Sequence, residues 1–313
     1  MNPLVIVNPN SGGGKTGRVF SSMQRTFESA LGTVDVTFTE RTGHAIEIAA
    51  GAAKAGRDLV VAVGGDGTLN EVINGLMRAA EEGSRAPEVA IVGQGTGGDF
   101  RKTLGLEHRL DKYLEAIASG RVRAIDVGRI TYRDHEKQQQ TRFFVNILSA
   151  GMGGLVDRYV AGASRALGGK VAYFGASLRA LVQAKRGRLR CEVTENGKTS
   201  EKKIQTLMIA ICNGRYFGSG MHVAPMAKID DGKFEVVSID AESKLAFSMS
   251  SQRIYDGTHI GKEGVVHFSC EKIDMDLENE DARELFLLDC DGEPIGGLPI
   301  SVEVIPGALR FRG

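Results

Sequence analysis

The sequence has few cysteines, no long apolar run and no net charge. Cys191, Cys212, Cys270 and Cys290 lie far apart without a CxxC pair, so we expect reduced core residues rather than disulfides or a metal site. No apolar stretch approaches the roughly 20 residues that cross a bilayer, and no secretory signal precedes Leu4. Lysine plus arginine and aspartate plus glutamate both number 39, which gives no electrostatic argument for nucleic acid. These absences predict a soluble cytoplasmic protein without a nucleic-acid partner.

The most informative stretch reads LVVAVGGDGTLNEVING and runs from Leu59 to Gly75. Its apolar opening is typical of a strand buried on both faces of a parallel sheet. The glycines that follow permit a tight turn and close approach of a ligand, and Thr68 can cap the next helix. Asp66 places a carboxylate at the carboxyl end of the strand, where open α/β sheets bind ligands. A short glycine pattern also occurs in plain strand-turn-helix connections, but the longer string favours a nucleotide site.

Two further glycine-rich loops resemble better-known motifs without matching them. The loop NPNSGGGKTG carries Pro9 where the pattern GxxxxGK[ST] requires glycine, so we do not expect a Walker A loop. Its backbone N–H groups can still hold phosphate, with Lys15 or Arg18 adding charge, and a flexible surface turn is the alternative. The run from Gly93 to Phe100 satisfies GxGxxG, but no acidic strand end follows about 20 residues later, which argues against a dinucleotide site.

Five stretches in this order, NPNSG, GGDGTLNEV, GTGGDF, residues 213–232 and DGE, resemble the soluble diacylglycerol, sphingosine and ceramide kinases. The nucleotide fold of that family is shared with NAD kinases. The resemblance implies an α/β N-terminal domain with a three-layer, Rossmann-like parallel sheet. A mainly antiparallel β-sandwich with embedded helices follows it. We place the first domain at residues 1–126, the second at 127–298, and expect residues 299–313 to return to the first. Gly98 departs from the family, which commonly has asparagine there.

The same resemblance implies an ATP-dependent lipid kinase that uses Mg²⁺, and it assigns residues to roles. Glu293 is the expected base, with Asp291 as the other candidate or as its support. Asp66 would orient nucleotide-bound magnesium or assist the base, with Asp99 and Asp126 near it. By itself, DGEP is more typical of a hairpin turn with a solvated carboxylate, and only the full set of motifs favours a catalytic residue. The residues expected to bind the nucleotide are Asn8, Pro9, Asn10, Ser11, Gly12, Thr39, Gly65, Asp66, Gly67, Thr68, Leu69, Asn70, Glu71 and Thr96.

The stretch KIDDGK has the oxygen donors that a hard cation prefers. By position, the resemblance implies a structural Mg²⁺ bound by the Asp231 carboxylate and by main-chain oxygens of Lys228 and Lys233. A tight turn without a metal is the alternative. No His/Cys cluster supports zinc, and no Ser-His-Asp or Cys-His arrangement can be read from the order of residues.

The segment 155–190 is rich in arginine and lysine, with apolar residues recurring at roughly helical spacing. This pattern suits a helix pair on an anionic membrane surface, or an ordinary amphipathic pair with a solvated basic face. The acidic stretch 274–284 would then face away from the membrane. We therefore expect a lipid substrate at a membrane surface, peripheral association with the inner face of the membrane, and leave a homodimer open.

Two other functions remain open at this point. An NAD kinase would share GGDGT and the NE dipeptide, but would lack the NPxSG opening. A non-catalytic sensor of lipid or nucleotide is conceivable because of Gly98. Turnover of ATP with NAD, or ATP binding without turnover on any lipid, would distinguish them.

Overall fold

The computed structural model describes residues 1–95, 98–134, 136–161, 179–180, 183–241 and 252–313. The chain forms two compact units. Unit 1 comprises Met1–Val127, Phe143–Val145 and Pro306–Gly313, and unit 2 comprises Gly128–Arg142 and Asn146–Ile305. The chain re-enters unit 1 at Pro306 rather than at residue 299. The reason is that the preceding part of its last strand, Ile300 to Glu303, pairs within unit 2.

Unit 1 is an α/β fold around a parallel sheet in the strand order β4-β3-β1-β2. Phe311 of the last strand pairs in parallel with Val89 of β4. The α/β architecture with a mostly parallel sheet confirms the predicted class of the N-terminal domain. Its elements are β1 (Pro3–Val7), α1 (Lys15–Leu31), β2 (Asp35–Phe38), α2 (His44–Lys54), β3 (Leu59–Gly64), α3 (Asp66–Glu81), β4 (Glu88–Gly93), α4 (Asp99–Leu104) and α5 (Leu110–Ala118).

The core of unit 1 follows from the sequence pattern. Every residue of β3 is buried, as its apolar run predicts for a central parallel strand. On α1 the buried side chains Phe20, Met23, Phe27 and Leu31 recur every three or four residues, which places one face against the sheet. Helices α2 and α3 pack closely at Gly75, where a Cβ atom would lie 2.3 Å from the Ile46 carbonyl oxygen.

Unit 2 is a mainly antiparallel β-sandwich, as predicted. One run of strands has the order β12-β11-β10-β7-β14-β15, and β9, β8 and β13 join at β15. The elements from residue 122 onward are β5 (Val122–Arg133), β6 (Gln139–Phe144), β7 (Ile147–Gly151), α6 (Met152–Ala161), β8 (Gly187–Glu195), β9 (Lys198–Thr206), β10 (Met208–Cys212), β11 (Phe234–Ile239), β12 (Val265–Cys270), β13 (Lys272–Leu277), a 3₁₀ turn (Glu280–Ala282), β14 (Leu287–Cys290) and β15 (Glu293–Arg312).

The cysteines lie in the interior as expected. Cys191, Cys212, Cys270 and Cys290 are free and buried, and burial raises the pKa of each thiol, to about 12 for Cys191 and Cys270. Among the described residues, no helix is both long enough and apolar enough to cross a membrane.

Candidate active site

Three glycine-containing loops meet at the carboxyl ends of the parallel strands of unit 1. A Cβ atom at Gly12 would lie 2.7 Å from the Gln94 carbonyl oxygen, and one at Gly95 would lie 2.9 Å from the Gly65 Cα. Such distances exclude a side chain, so the loops after β1, β3 and β4 approach one another backbone to backbone. Loops of this kind present N–H groups toward an anion. The structure therefore brings together three of the stretches that the sequence assigned to the nucleotide.

The NPNSG loop is held by specific contacts. Asn8 donates from Nδ2 to the Thr68 hydroxyl (3.0 Å), and its Oδ1 accepts the Asn10 N–H (3.0 Å). A Cβ atom at Gly17 would lie 2.9 Å from the Pro9 Cβ, so the first turn of α1 lies directly on this proline. Thr68 lies within α3 rather than before it, because the helix already begins at residue 66. The expectation that Thr68 caps this helix is wrong, and its hydroxyl instead fixes Asn8.

Asp66 is half-buried and is tied to the loop that follows β4. Its Oδ2 accepts the Asp99 N–H (3.0 Å) and its Oδ1 accepts the Phe100 N–H (3.4 Å). Burial raises the pKa of Asp66 and the Asp99 carboxylate adds to this, while the backbone N–H donors oppose it. Asp99 itself forms an ion pair with Lys102 (2.7 Å). A carboxylate with a raised pKa beside a glycine turn is the electrostatic signature of a functional residue.

Two of the residues predicted to contact the nucleotide make hydrogen bonds within unit 1. The Asn70 amide donates to the Phe143 carbonyl oxygen (3.0 Å) and is buried. The Glu71 carboxylate accepts the N–H groups of Gly43 (2.9 Å) and Ala45 (3.1 Å), at the start of α2. These bonds join α3 to other parts of unit 1, so both side chains have a clear role in the fold, and their nucleotide contact stays a prediction.

The remaining predicted contacts lie in different surroundings. Thr39 is buried and its N–H donates to the Val7 carbonyl oxygen (2.8 Å). Leu69 is fully buried in the core, whereas Gly67 lies half-buried in the first turn of α3. Thr96 lies outside the described residues.

A small pocket beside the GGDG turn includes residues that sequence reasoning did not identify. The His108 Nδ1 lies 3.1 Å from the Tyr113 hydroxyl, and a Cβ atom at Gly93 would lie 2.6 Å from that hydroxyl. Burial lowers the pKa of His108, and the positive charges of Arg101 and Lys15 lower it further. In the sequence, nothing near Arg101 and His108 distinguishes them from charged residues on the surface. The pocket is lined by Gly64, Gly65, Asp66, Ile91, Gly93, Gly95, Gly98, Arg101 and His108.

In unit 2 the DGEP string forms the hairpin between β14 and β15. Asp291 (φ 51°) and Gly292 (φ 90°) both have left-handed backbone conformations, as a two-residue type I′ turn requires. The Asp291 Oδ1 accepts the N–H groups of Asn146 (3.1 Å) and Ile147 (2.9 Å). Asp291 therefore fixes the hairpin to the start of β7, which favours the supporting role over the role of base.

Glu293 is the first residue of β15, and its carboxylate is paired with the guanidinium of Arg142. Both side chains are mostly buried. Burial disfavours the charge of Arg142, but Glu293, Cys290 and Tyr132 together outweigh this effect, and the pKa of Arg142 lies above its usual value. The pair orients the carboxylate that the sequence identified as the base. Arg142 was missed because nothing in its neighbourhood in the sequence marks it.

The expected metal site lies in the turn before β11. The Asp231 Oδ1 accepts the Lys233 N–H (3.2 Å), and the Lys233 ammonium donates to the Asn196 Oδ1 (2.8 Å). An exposed carboxylate with main-chain oxygens near it has the donor chemistry that Mg²⁺ prefers. No group of three or more His, Cys, Asp or Glu side chains among the described residues could hold a metal. The assignment of Lys228, Asp231 and Lys233 stays a prediction.

Residues 162–178 and 181–182 of the basic segment lie outside the part of the chain that the structure describes. Arg158 and Arg179 are exposed, and the Arg179 guanidinium lies 4.4 Å from the ring centroid of Tyr159. The predicted amphipathic pair therefore stays a prediction.

The carboxyl end of the basic segment is paired with acidic residues. The Lys185 ammonium lies 3.6 Å from the Asp281 carboxylate, and Arg186 Nε lies 2.9 Å from the Asp240 carboxylate. Strand β13 of the acidic stretch is also the antiparallel neighbour of β8. Strand pairing therefore places the acidic stretch beside the end of the basic segment, and the expectation that residues 274–284 face away from a membrane stays a prediction.

Comparison with known proteins agrees with this geometry. A family model described as the diacylglycerol kinase catalytic domain matches residues 2–130, and one described as the YegS C-terminal NAD kinase beta sandwich-like domain matches residues 146–312. The probable lipid kinase YegS of Escherichia coli O127:H6 is 28% identical over 280 residues, covering 90% of this chain and 86% of the relative. The Shigella flexneri protein of the same name is 29% identical with the same coverage.

Similarity to a solved structure supports the fold independently. A diacylglycerol kinase from Bacillus anthracis str. Sterne superimposes with a TM-score of 0.70 at 21% identity, covering 99% of this chain and 96% of that one. The chain therefore belongs to the kinase family in which a diacylglycerol kinase catalytic domain precedes a YegS-type β-sandwich domain.

Proposed function

We propose that this kinase transfers the γ-phosphoryl group of ATP to a hydroxyl group of a membrane lipid of the diacylglycerol, sphingosine or ceramide type. The convergence of the Gly12, Gly65 and Gly95 loops at the strand ends of unit 1 carries the proposal. Phosphoryl transfer relies on positioning and charge neutralisation more than on covalent chemistry, and such a backbone cradle supplies the positioning. The lipid acceptor is supported by the names of the curated relatives.

When bound, Mg²⁺ would supply positive charge against the negative charge that develops during phosphoryl transfer. Asp66 is the residue of the cradle that would hold a nucleotide-bound ion, because it is the carboxylate beside the glycine turn. The oxygen donors of Lys228, Asp231 and Lys233 would hold a second, structural ion. The Asp66 carboxylate accepts the Asp99 N–H and the Asp231 carboxylate accepts the Lys233 N–H, so the backbone holds each carboxylate in place.

Glu293 is the proposed base for the acceptor hydroxyl. Its pairing with Arg142 holds the carboxylate in one orientation, and Asp291 fixes the hairpin that carries it. General-base catalysis requires such a positioned carboxylate within reach of the proton.

The test is a transfer assay with purified full-length protein, Mg²⁺ and γ-labelled ATP. Diacylglycerol, sphingosine and ceramide would be offered separately in mixed micelles, together with an extract of total lipid. Label in one lipid product, absent without enzyme, is the expected result. ATP binding without a labelled lipid from any source would contradict the proposal and favour a sensor.

An NAD kinase activity is the second candidate, favoured by the GGDGT string and by the NAD kinase-like description of the second family model. Incubation with ATP and NAD, followed by enzymatic detection of NADP, decides this. Formation of NADP at a rate above that of lipid labelling would reverse the assignment.

A further inference from the structure

Two nitrogens of the Arg101 guanidinium differ in their hydrogen bonding. One terminal nitrogen, Nη1, donates to the Leu106 carbonyl oxygen (2.7 Å). The Nε atom is buried and has no hydrogen-bond partner among the described residues. Buried side-chain donors nearly always have an acceptor, and an unpartnered guanidinium N–H is costly. A partner from outside the chain, such as a bound anion, would satisfy it.

The surroundings of this guanidinium leave room for such a ligand. Arg101 lines the small pocket beside the GGDG turn, whose lining includes five glycines. A Cβ atom at Gly98 would lie 3.2 Å from the Arg101 Nε. The absence of a side chain at residue 98 therefore keeps the space next to the guanidinium open.

The charges around the pocket favour an anion. The positive charges of Arg101, in α4, and of Lys15, in α1, both lower the pKa of His108, which lines the pocket. The carboxylate of the pocket, Asp66, already accepts two backbone N–H groups. A guanidinium with a free N–H beside glycine backbone is suited to phosphate oxygens, which it can bind in a fixed geometry.

We infer that Arg101 binds the phosphate groups of the nucleotide through its unpartnered Nε–H, in the space that Gly98 leaves open. This inference rests on the proposed function, because it assumes that the nucleotide occupies the pocket of unit 1. Arg101 thus becomes a determinant of nucleotide affinity that the family signature does not contain.

Binding of ATP, inorganic tripolyphosphate and adenosine to the full-length protein tests the inference. In Arg101→Gln the affinity for ATP and for tripolyphosphate should fall by about tenfold to a hundredfold, since a charged hydrogen bond is lost. Adenosine should bind as it does to the parent. Arg101→Lys should give an intermediate loss, because lysine keeps the charge without the planar fork. Arg109→Gln is the matched control, since Arg109 forms an exposed pair with Asp111 and should change nothing.

Equal affinity of the parent and Arg101→Gln for ATP would overturn the inference. An equal loss for ATP and adenosine would also overturn it, because that result indicates a structural brace through Leu106. If the parent itself binds neither ATP nor tripolyphosphate, the proposed function fails together with the inference. Failure of lipid labelling alone, with these affinities as expected, would leave the inference standing and reject only the lipid acceptor.

A double-mutant cycle with Gly98→Asn provides a second test. Asparagine tolerates the left-handed backbone of residue 98 (φ 61°), and its Cβ would crowd the Arg101 Nε. The single substitution should weaken ATP binding in the parent but cause no further loss in Arg101→Gln, because the two residues share one position in the pocket. Fully additive losses would show that they act separately and would contradict the inference.

Discussion

The Asp66 carboxylate accepts the backbone N–H of Asp99 at 3.0 Å, so one side chain of the GGDG turn also fixes the start of α4. Asp66 therefore connects the turn after β3 to the loop after β4. Because its carboxylate is half-buried near a second carboxylate, its ionised form is disfavoured in the folded protein. A carboxylate whose charged form is disfavoured in this way is a candidate for a functional role.

Asp66→Asn should lower the rate of phosphoryl transfer by about a hundredfold or more, because a group that stabilises charge is lost. Its stability at neutral pH should stay near that of the parent, since removal of the buried charge offsets the loss of one of the two N–H bonds that the carboxylate accepts. Transfer rates and thermal unfolding would be measured together. If Asp66→Asn transfers phosphate at the parental rate, the GGDG motif is not part of the active site.

The pH dependence of stability provides the control for this variant. A raised pKa in the folded state means that the contribution of Asp66 is present below the unfolded pKa and is lost as pH rises through the folded pKa. Any stability advantage of Asp66→Asn should therefore shrink as the pH is lowered. A difference in melting temperature that stays constant from pH 4 to pH 8 would contradict the raised pKa.

Glu293→Gln should lose turnover by a factor of about 10²–10⁴, because it keeps size and polarity but removes the proton acceptor. Nucleotide affinity should be unchanged, since the predicted cradle belongs to unit 1. Single-turnover transfer and ATP binding would separate the two effects.

Asp291→Asn is the matched variant, because a single oxygen of Asp291 accepts both N–H groups and an amide oxygen can replace it. We expect this variant to remain substantially active. Loss of transfer in Asp291→Asn with parental rates in Glu293→Gln would make Asp291 the base. If both variants keep the parental rate, the base lies elsewhere.

Glu71→Ala should lower the free energy of unfolding by about 1–2 kcal/mol, as expected when a carboxylate that caps a helix start is removed. Chemical denaturation would measure it. Glu47→Ala is the control, because Glu47 lies on α2, the helix whose start Glu71 caps, and its exposed pair with Arg41 should contribute little to stability. An equal decrease in the free energy of unfolding in both variants would show that the bonds of Glu71 to Gly43 and Ala45 stabilise the fold no more than an exposed ion pair does.

Charge reversal of Arg158 and Arg179 together should weaken binding to anionic vesicles, by about fivefold or more for each charge removed. Both side chains are exposed in the structure. Reversal of Lys185 should have a smaller effect, because it already lies beside Asp281. Sedimentation with vesicles of phosphatidylglycerol at two salt concentrations would measure this. If vesicle binding changes neither with salt concentration nor with these substitutions, the basic segment is a solvated face and does not bind the membrane.

Much of unit 1 is determined locally by the sequence. The apolar run of β3, the recurring apolar side chains of α1 and the glycines after each strand specify buried strands, one-sided helices and close loops. Each of these patterns involves residues within a few positions of one another, and hydrophobic periodicity reports such local relationships directly. The fold class and the location of the glycine loops could therefore be predicted.

The partners of individual polar side chains were decided only by the tertiary structure. Glu71 bonds to Gly43 across 28 positions, and Arg142 reaches Glu293 across 151. Such pairs depend on which helices and strands pack against one another and, for strands, on the register of their pairing. For the same reason, the proximity of Lys185 to Asp281 could not be read from the charge pattern of either segment.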